Sequence, residues 1–158
     1  TRFAALGVIP SMQFVHCSSD KNMTEDRIGA ARLKGAFVWR QLLDLGLIIP
    51  GGSDAPVELV NPFHGMYGAV KRKDRAGLPE GGWCADQKIS RIEALKSFTL
   101  WGAYAGFDER TKGSIEVGKY ADFAVLDRDI LNCPEDDIKD TEVAATVLRG
   151  NPVYGEIE

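Results

Sequence analysis

Few residues in this sequence could carry chemistry, and the best placed is Asp54. It closes the run Leu47-Ile48-Ile49-Pro50-Gly51-Gly52-Ser53-Asp54. A short apolar run that stops at two glycines reads as a strand covered on both faces, with a sharp turn at its carboxyl end. In α/β barrels that rim carries the active site. A carboxylate there could bind a metal or move a proton, and it could equally cap a turn. His16 follows a second candidate strand, Val8 to Phe14, so it could touch a substrate from a strand end or be tied to loop backbone. Gln13, just before it, could orient a substrate or satisfy buried backbone. His64, beside Pro62 and Phe63, reads as structural first. Cys17, Cys84 and Cys133 are odd in number and include no CxxC pair. That spacing indicates neither a zinc knuckle nor a disulfide framework, and reduced, scattered thiols suit a cytoplasmic protein.

The elements that would hold these residues follow from pattern. Residues 2 to 6 read as a helix end closed by Gly7. Val15 to Asp26 reads as a polar loop, with Thr24 as the cap of a helix from Arg27 to Leu45 whose Ala30, Leu33, Phe37 and Leu42 share a face. Gly46 ends it, and Leu47 to Pro50 is the second strand. Strand, loop, helix, strand is a βαβ unit with a parallel pair. Pro56 to Trp83 is loop-rich, with a short helix from Phe63 to Arg72. The cluster Lys71-Arg72-Lys73-Asp74-Arg75 reads as a solvated face, since Asp74 interrupts it and no glycine-rich phosphate loop precedes it. Ser90-Arg91-Ile92-Glu93 is a capping box that opens a helix running to Gly106. From Thr111 the character changes to short strands: Lys112 to Lys119 as turn, strand and turn, then Ala121 to Asp127 and Val143 to Arg149. Gly150-Asn151 reads as a two-residue turn returning through Pro152 to Tyr154.

The chain of 158 residues is 44% hydrophobic and 27% charged with net charge −4, a globular composition that gives no reason to expect nucleic acid or an anionic membrane. No apolar run approaches the roughly 18 residues of a spanning helix. The opening residues are not a signal peptide, because Pro10 interrupts a short apolar stretch. A first residue other than methionine fits a processed chain or a piece of a longer one.

Several stretches together resemble a known family. Gly52-Ser53-Asp54-Ala55-Pro56-Val57, Asn61-Pro62 and the basic Lys71-Arg72 resemble the last barrel segment of the amidohydrolase superfamily. So do the Ser90 to Gly106 helix and the run Lys112-Gly113-Ser114-Ile115-Glu116-Val117-Gly118-Lys119-Tyr120-Ala121-Asp122-Phe123-Ala124-Val125-Leu126. The branch most similar is the one that includes N-substituted formamide deformylase-like enzymes. Met12-Gln13-Phe14-Val15-His16, followed by Asp20, resembles its seventh-strand region, with Phe14 where proline is usual. The resemblance implies the C-terminal portion of a (β/α)₈ barrel over residues 1–110, its last two strands and helices, followed by a small β-sandwich segment over 111–158. It implies hydrolysis of carbon–nitrogen bonds such as amides, with a divalent metal, zinc foremost, activating the attacking water. Asp54 would then be a metal ligand and the proton shuttle, with Gln13 and His16 contacting a small amide-type substrate. Asp122, after the turn, reads as a hydrogen-bonding residue of the fold.

A complete barrel needs about 250 residues, and a catalytic metal site wants about three protein ligands. Only His16 and His64 are present, and no His-x-His pair exists. Two expectations follow. The chain is part of a metal-dependent hydrolase completed elsewhere, or it is a non-catalytic assembly module derived from one. Two barrel strands without neighbours leave open edges, so the isolated chain is expected to self-associate or to associate with a missing N-terminal part.

Overall fold

The computed structural model describes residues 2–156. The helices are α1 (Arg2–Ala5), α2 (His16–Ile28), α3 (Trp39–Asp44), α4 (Pro62–Lys71), α5 (Arg91–Ser97) and α6 (Leu100–Ala105). Two 3-10 turns, Ala30–Gly35 and Ala85–Gln87, lie between helices, and a third, Glu135–Asp140, lies farther along the chain. The strands β1 (Phe123–Leu126), β2 (Val143–Leu148) and β3 (Asn151–Tyr154) form one antiparallel sheet in that order. The architecture is mixed α/β. Among the described residues no helix is long and apolar enough to cross a membrane.

The predicted parallel strands survive as a single bridge. Met12 pairs with Gly51 in parallel: the Met12 amide donates to the Pro50 carbonyl at 2.9 Å, and the Gly52 amide to the Met12 carbonyl at 3.1 Å. The Gly51 amide turns to the Ser97 carbonyl at 2.9 Å. That carbonyl is thus taken from the helix, and α5 ends where a single helix to Gly106 was expected. The hydroxyls of Ser97 and Thr99 donate back to the carbonyls of Glu93 and Leu95, a habit that bends helices. The start is as expected: Ser90 Oγ accepts from the Glu93 amide, while the Ser90 amide donates to the Glu93 carboxylate at 2.7 Å.

Residues 15 to 45 fold differently from the sequence expectation. The polar stretch is the helix α2, and Thr24 sits within it, donating to the Asp20 carbonyl at 2.8 Å. Its packed face is largely polar, which hides the periodicity: Ser18 donates to the Lys73 carbonyl at 2.8 Å, and Lys21 meets Asp74 at 2.7 Å. Helix α2 ends at Gly29, whose φ of 79° leaves the helical region, so no helix spans Arg27 to Leu45. Phe37 and Trp39 both pack into one aromatic cluster with Trp83. Two residues apart on a helix, they would point about 200° away from each other.

The core is one buried cluster, including Phe14, Trp39, Ile49, Met66, Tyr67 and Ala94, and it extends to Ile130 and Ile138 beyond residue 111. Helix α4 packs on the Glu135–Asp140 turn, where Lys71 meets Glu135 at 3.1 Å and Asp136 at 3.4 Å. The solvated-face reading therefore fails for this basic cluster, most plainly at Arg72, which is fully buried. Residues 112–119 are turns and bends, with no strand. The β2–β3 turn falls one residue earlier than expected. Leu148 pairs with Asn151, so Arg149 and Gly150 are its central residues, with φ of 50° and 78°, as a type I′ turn requires. Asp122 accepts from the Arg149 amide at 2.7 Å, the structural role expected of it.

Asp74 gives this packing a pH dependence. Its carboxylate accepts from Lys21 and from the amides of Leu78 and Ala76, both at 3.0 Å. These bonds, Lys21's first, hold its pKa below the ordinary carboxylate value. A depressed folded pKa contributes stability above the unfolded value that is lost as pH falls through the folded one. Asp74→Asn should cost about 1 kcal/mol at neutral pH. In urea titrations at falling pH the gap to wild type should close below the usual carboxylate range; a constant gap would remove Asp74 as its source.

Candidate functional site

The parallel sense of the Met12–Gly51 pairing sends Gln13 and His16 off one segment and Asp54 off the other, beyond the same end of the pair. Fully buried Phe14 and Ile49 anchor the two segments, and the Phe14 ring meets Trp39 edge-on at 4.8 Å. Past Gly52 the chain turns outward. Asp54 has a φ of 56° and an exposed side chain, and its carbonyl accepts from the Val57 amide at 2.8 Å. This is a turn closed by backbone. Among the described residues no hydrogen bond or ion pair reaches the Asp54 carboxylate, so the turn does not consume it as a cap.

His16 is the first residue of α2, and its amide donates to the Gln13 carbonyl at 3.2 Å. Its Nε2 is buried and has no partner among the described residues. A buried imidazole nitrogen without a partner is costly, and the alternative of a histidine tied to loop backbone finds no bond there. Gln13 is half-buried and its side-chain amide likewise makes no hydrogen bond among the described residues. His64 lies on α4, half-buried, its pKa pushed down by burial and then by Arg75. The thiol of Cys17 is fully buried, and burial pushes its pKa up to about 11, which makes it a poor nucleophile at neutral pH. Cys84 and Cys133 are also free thiols.

The donors do not amount to a metal centre by themselves. No group of three His, Cys, Asp or Glu side chains able to hold an ion occurs among the described residues. At this rim the chain offers one unpaired carboxylate and one unpaired imidazole nitrogen.

Two features escaped the sequence. Arg72 is enclosed by Trp39 and Trp83, with its guanidinium 4.4 and 5.4 Å from their rings. The apolar helix before it, with seven of its ten residues buried, was the available signal that its end would be buried too. The other is Glu109, whose Oε2 is buried without a partner among the described residues; no motif marks it.

A model of the amidohydrolase family matches residues 1–154. The chain is 33% identical over 153 residues to the protein YtcJ of Bacillus subtilis, covering 97% of this chain and 29% of that one. It is 34% identical over 114 residues to the N-substituted formamide deformylase of Arthrobacter pascens, covering 72% of this chain and 20% of that enzyme. Among solved structures it is similar to a metal-dependent hydrolase from Pyrococcus horikoshii, with a TM-score of 0.74 and 27% identity over 85% of this chain and 27% of that one. An amidohydrolase from Thermotoga maritima shares the fold at a TM-score of 0.52 and 22% identity, covering 76% of this chain and 26% of that one. The chain thus spans less than a third of the length of these relatives.

Proposed function

Because the chain belongs to the amidohydrolase family, we propose that it is the closing part of a hydrolase of non-peptide carbon–nitrogen bonds. Residues 1–110 would complete a (β/α)₈ barrel, and 111–158 would join a small β-sandwich. The observation that carries this reading is Asp54, an exposed and unpaired carboxylate just past the Met12–Gly51 bridge. In this role Asp54 takes a proton from the attacking water and delivers it to the leaving nitrogen. Gln13 and His16, both with free side-chain hydrogen-bonding groups, orient an amide-type substrate. The full site would also hold a divalent metal, zinc in our reading. This chain would contribute Asp54 to it, and among the described residues no group of three ligands gathers there.

A second reading, a non-catalytic assembly module, accounts equally for the absence of a three-ligand cluster among the described residues. A chimera separates the two. The stretch of the Arthrobacter deformylase matched by this chain is replaced with the corresponding residues here, and hydrolysis of an N-substituted formamide and metal content are measured. We expect turnover and stoichiometric metal, with Asp54→Asn lowering kcat by about 10²–10⁴-fold while the fold is kept. Full turnover in the Asp54→Asn chimera would remove Asp54 from the chemistry. A folded chimera without metal or turnover would favour the module.

A further inference from the structure

A cavity of about 350 Å³ takes its whole lining from one stretch of chain, between Asp20 and Phe37. It begins on α2, the helix that His16 opens. At about 100° per residue, His16, Asp20, Met23 and Arg27 fall within about 60° of one another, so they form one stripe along that helix. Asp20, Met23 and Arg27 line the cavity, together with Ile28 and Phe37. Along the helix axis Asp20 stands about 6 Å and Arg27 about 16 Å from His16. On the reading above, this stretch is the loop after the penultimate barrel strand, on the rim that builds active sites. The cavity is thus internal to a rim loop, apart from the open strand edges that the rest of a barrel would cover.

Met23, Ile28 and Phe37 make much of this lining apolar. Of its polar groups, the Thr24 hydroxyl is already engaged, donating to the Asp20 carbonyl at 2.8 Å. Among the described residues no hydrogen bond or ion pair reaches the Asp20 carboxylate or the Arg27 guanidinium. Lys21, on another face of the same helix, is by contrast paired with Asp74 at 2.7 Å. The two free charges have opposite signs and stand at opposite ends, Asp20 toward His16 and Arg27 away from it. An anionic group is repelled beside Asp20 and attracted at Arg27. The charges therefore give an occupant a direction: an N–H donor at Asp20, an apolar arm along Met23 and an acid at Arg27.

We infer that this cavity holds the N-substituent of the amide substrate, and that the preferred substituent is an apolar arm ending in a carboxylate that pairs with Arg27. The amide itself stays at His16, whose Nε2 has no partner among the described residues, and its N–H faces the Asp20 carboxylate. The inference rests on the hydrolase reading of the rim and deepens it, making Asp20 and Arg27 specificity residues for the same reaction.

The test is an NMR titration of the full chain, isotope-labelled at its methionine methyl groups. The probes are 6-formamidohexanoate, its neutral counterpart N-hexylformamide, its cationic counterpart N-(6-aminohexyl)formamide, and hexanoate, which lacks the amide. We expect 6-formamidohexanoate to shift the Met23 methyl saturably and to leave that of Met66, buried on α4, unmoved. The neutral analogue should bind about threefold more weakly, as loss of one exposed ion pair predicts, and the cationic analogue more weakly still. In Arg27→Gln the acid and neutral probes should bind alike, while Arg32→Gln, at a cation outside the cavity, should keep the preference. Equal binding of those two probes to the wild-type chain would overturn the inference without recourse to a variant. So would the absence of a Met23 shift, or a preference that survives Arg27→Gln. Hexanoate binding as tightly as 6-formamidohexanoate would also overturn it, by showing an apolar anion site that ignores the amide. Only binding is read here, so this outcome is separate from turnover in the deformylase chimera, on which the hydrolase reading stands or falls.

Discussion

Replacing Arg72 with alanine is expected to cost about 4 kcal/mol, a large share of the 5–15 kcal/mol by which small domains are stable. The side chain is fully buried, and no acidic residue forms an ion pair with it among the described residues. Its stabilisation comes from carbonyls and rings instead. Nε donates to the Trp83 carbonyl at 2.6 Å and Nη1 to the Phe37 carbonyl at 2.9 Å. The guanidinium lies between the rings of Trp39 and Trp83. Burial draws its pKa down, yet an arginine stays charged at any working pH. Truncation leaves two buried carbonyls without donors, at about 1–3 kcal/mol each, and adds a void between the rings. Arg72→Lys should also fail, by about 2 kcal/mol, because a single ammonium cannot reproduce a planar fork that bonds two carbonyls while stacking. Urea unfolding followed by tryptophan fluorescence would decide. A lysine variant as stable as wild type would show that charge alone matters there.

The second large effect is expected at Gly51. A Cβ at this position would stand 2.9 Å from Cε2 of Phe14 and 3.1 Å from Cε2 and Cζ of Phe98. Phe14 has no room to yield, being fully buried. Phe98 cannot retreat toward Gly65, where a Cβ would already be 2.6 Å from its Cζ. The Phe98 ring fills space that two glycines leave open. Gly51→Ala should therefore cost about 1–3 kcal/mol by overpacking and should disturb the bonds that join Met12 to Pro50 and Gly52. The partner substitution Phe98→Leu removes the ring edge, so the double variant should recover part of the loss, with a coupling of about 1 kcal/mol. Additive losses in thermal melts would place the clash elsewhere.

The parts of this fold that were legible in sequence are those set by local chemistry. The Ser90–Glu93 box, the helix over Pro62–Lys71 and the hydrogen-bonding role of Asp122 each follow from residues within a few positions or from a recognisable motif. The parallel pairing of the two apolar segments was also legible, though it is reduced to the single Met12–Gly51 bridge. What was not legible depended on distant partners. Helix α2 was hidden because it packs through Ser18 and Lys21 onto backbone and Asp74, contacts that leave no apolar stripe. The break between Gly29 and Trp39 is imposed by the aromatic cluster around Arg72, whose members come from three separate stretches. At the candidate site the sequence singled out Asp54, Gln13 and His16. It could not show that their side chains lack partners, since an unmade hydrogen bond has no sequence signature.

The buried cluster that joins Phe14 and Trp39 to Ile130 and Ile138 has a consequence for how stability is shared. A change of composition near residue 111 suggests a seam, but a seam in composition is not a seam in cooperativity. Phe14 and Ile49, which anchor the segments leading to Asp54, and Ile130 and Ile138, which lie between β1 and β2 in the chain, sit in one desolvated mass, so free energy lost at Ile138 is lost to Phe14 as well. The packing behind the Asp54 turn thus depends on side chains far along the chain.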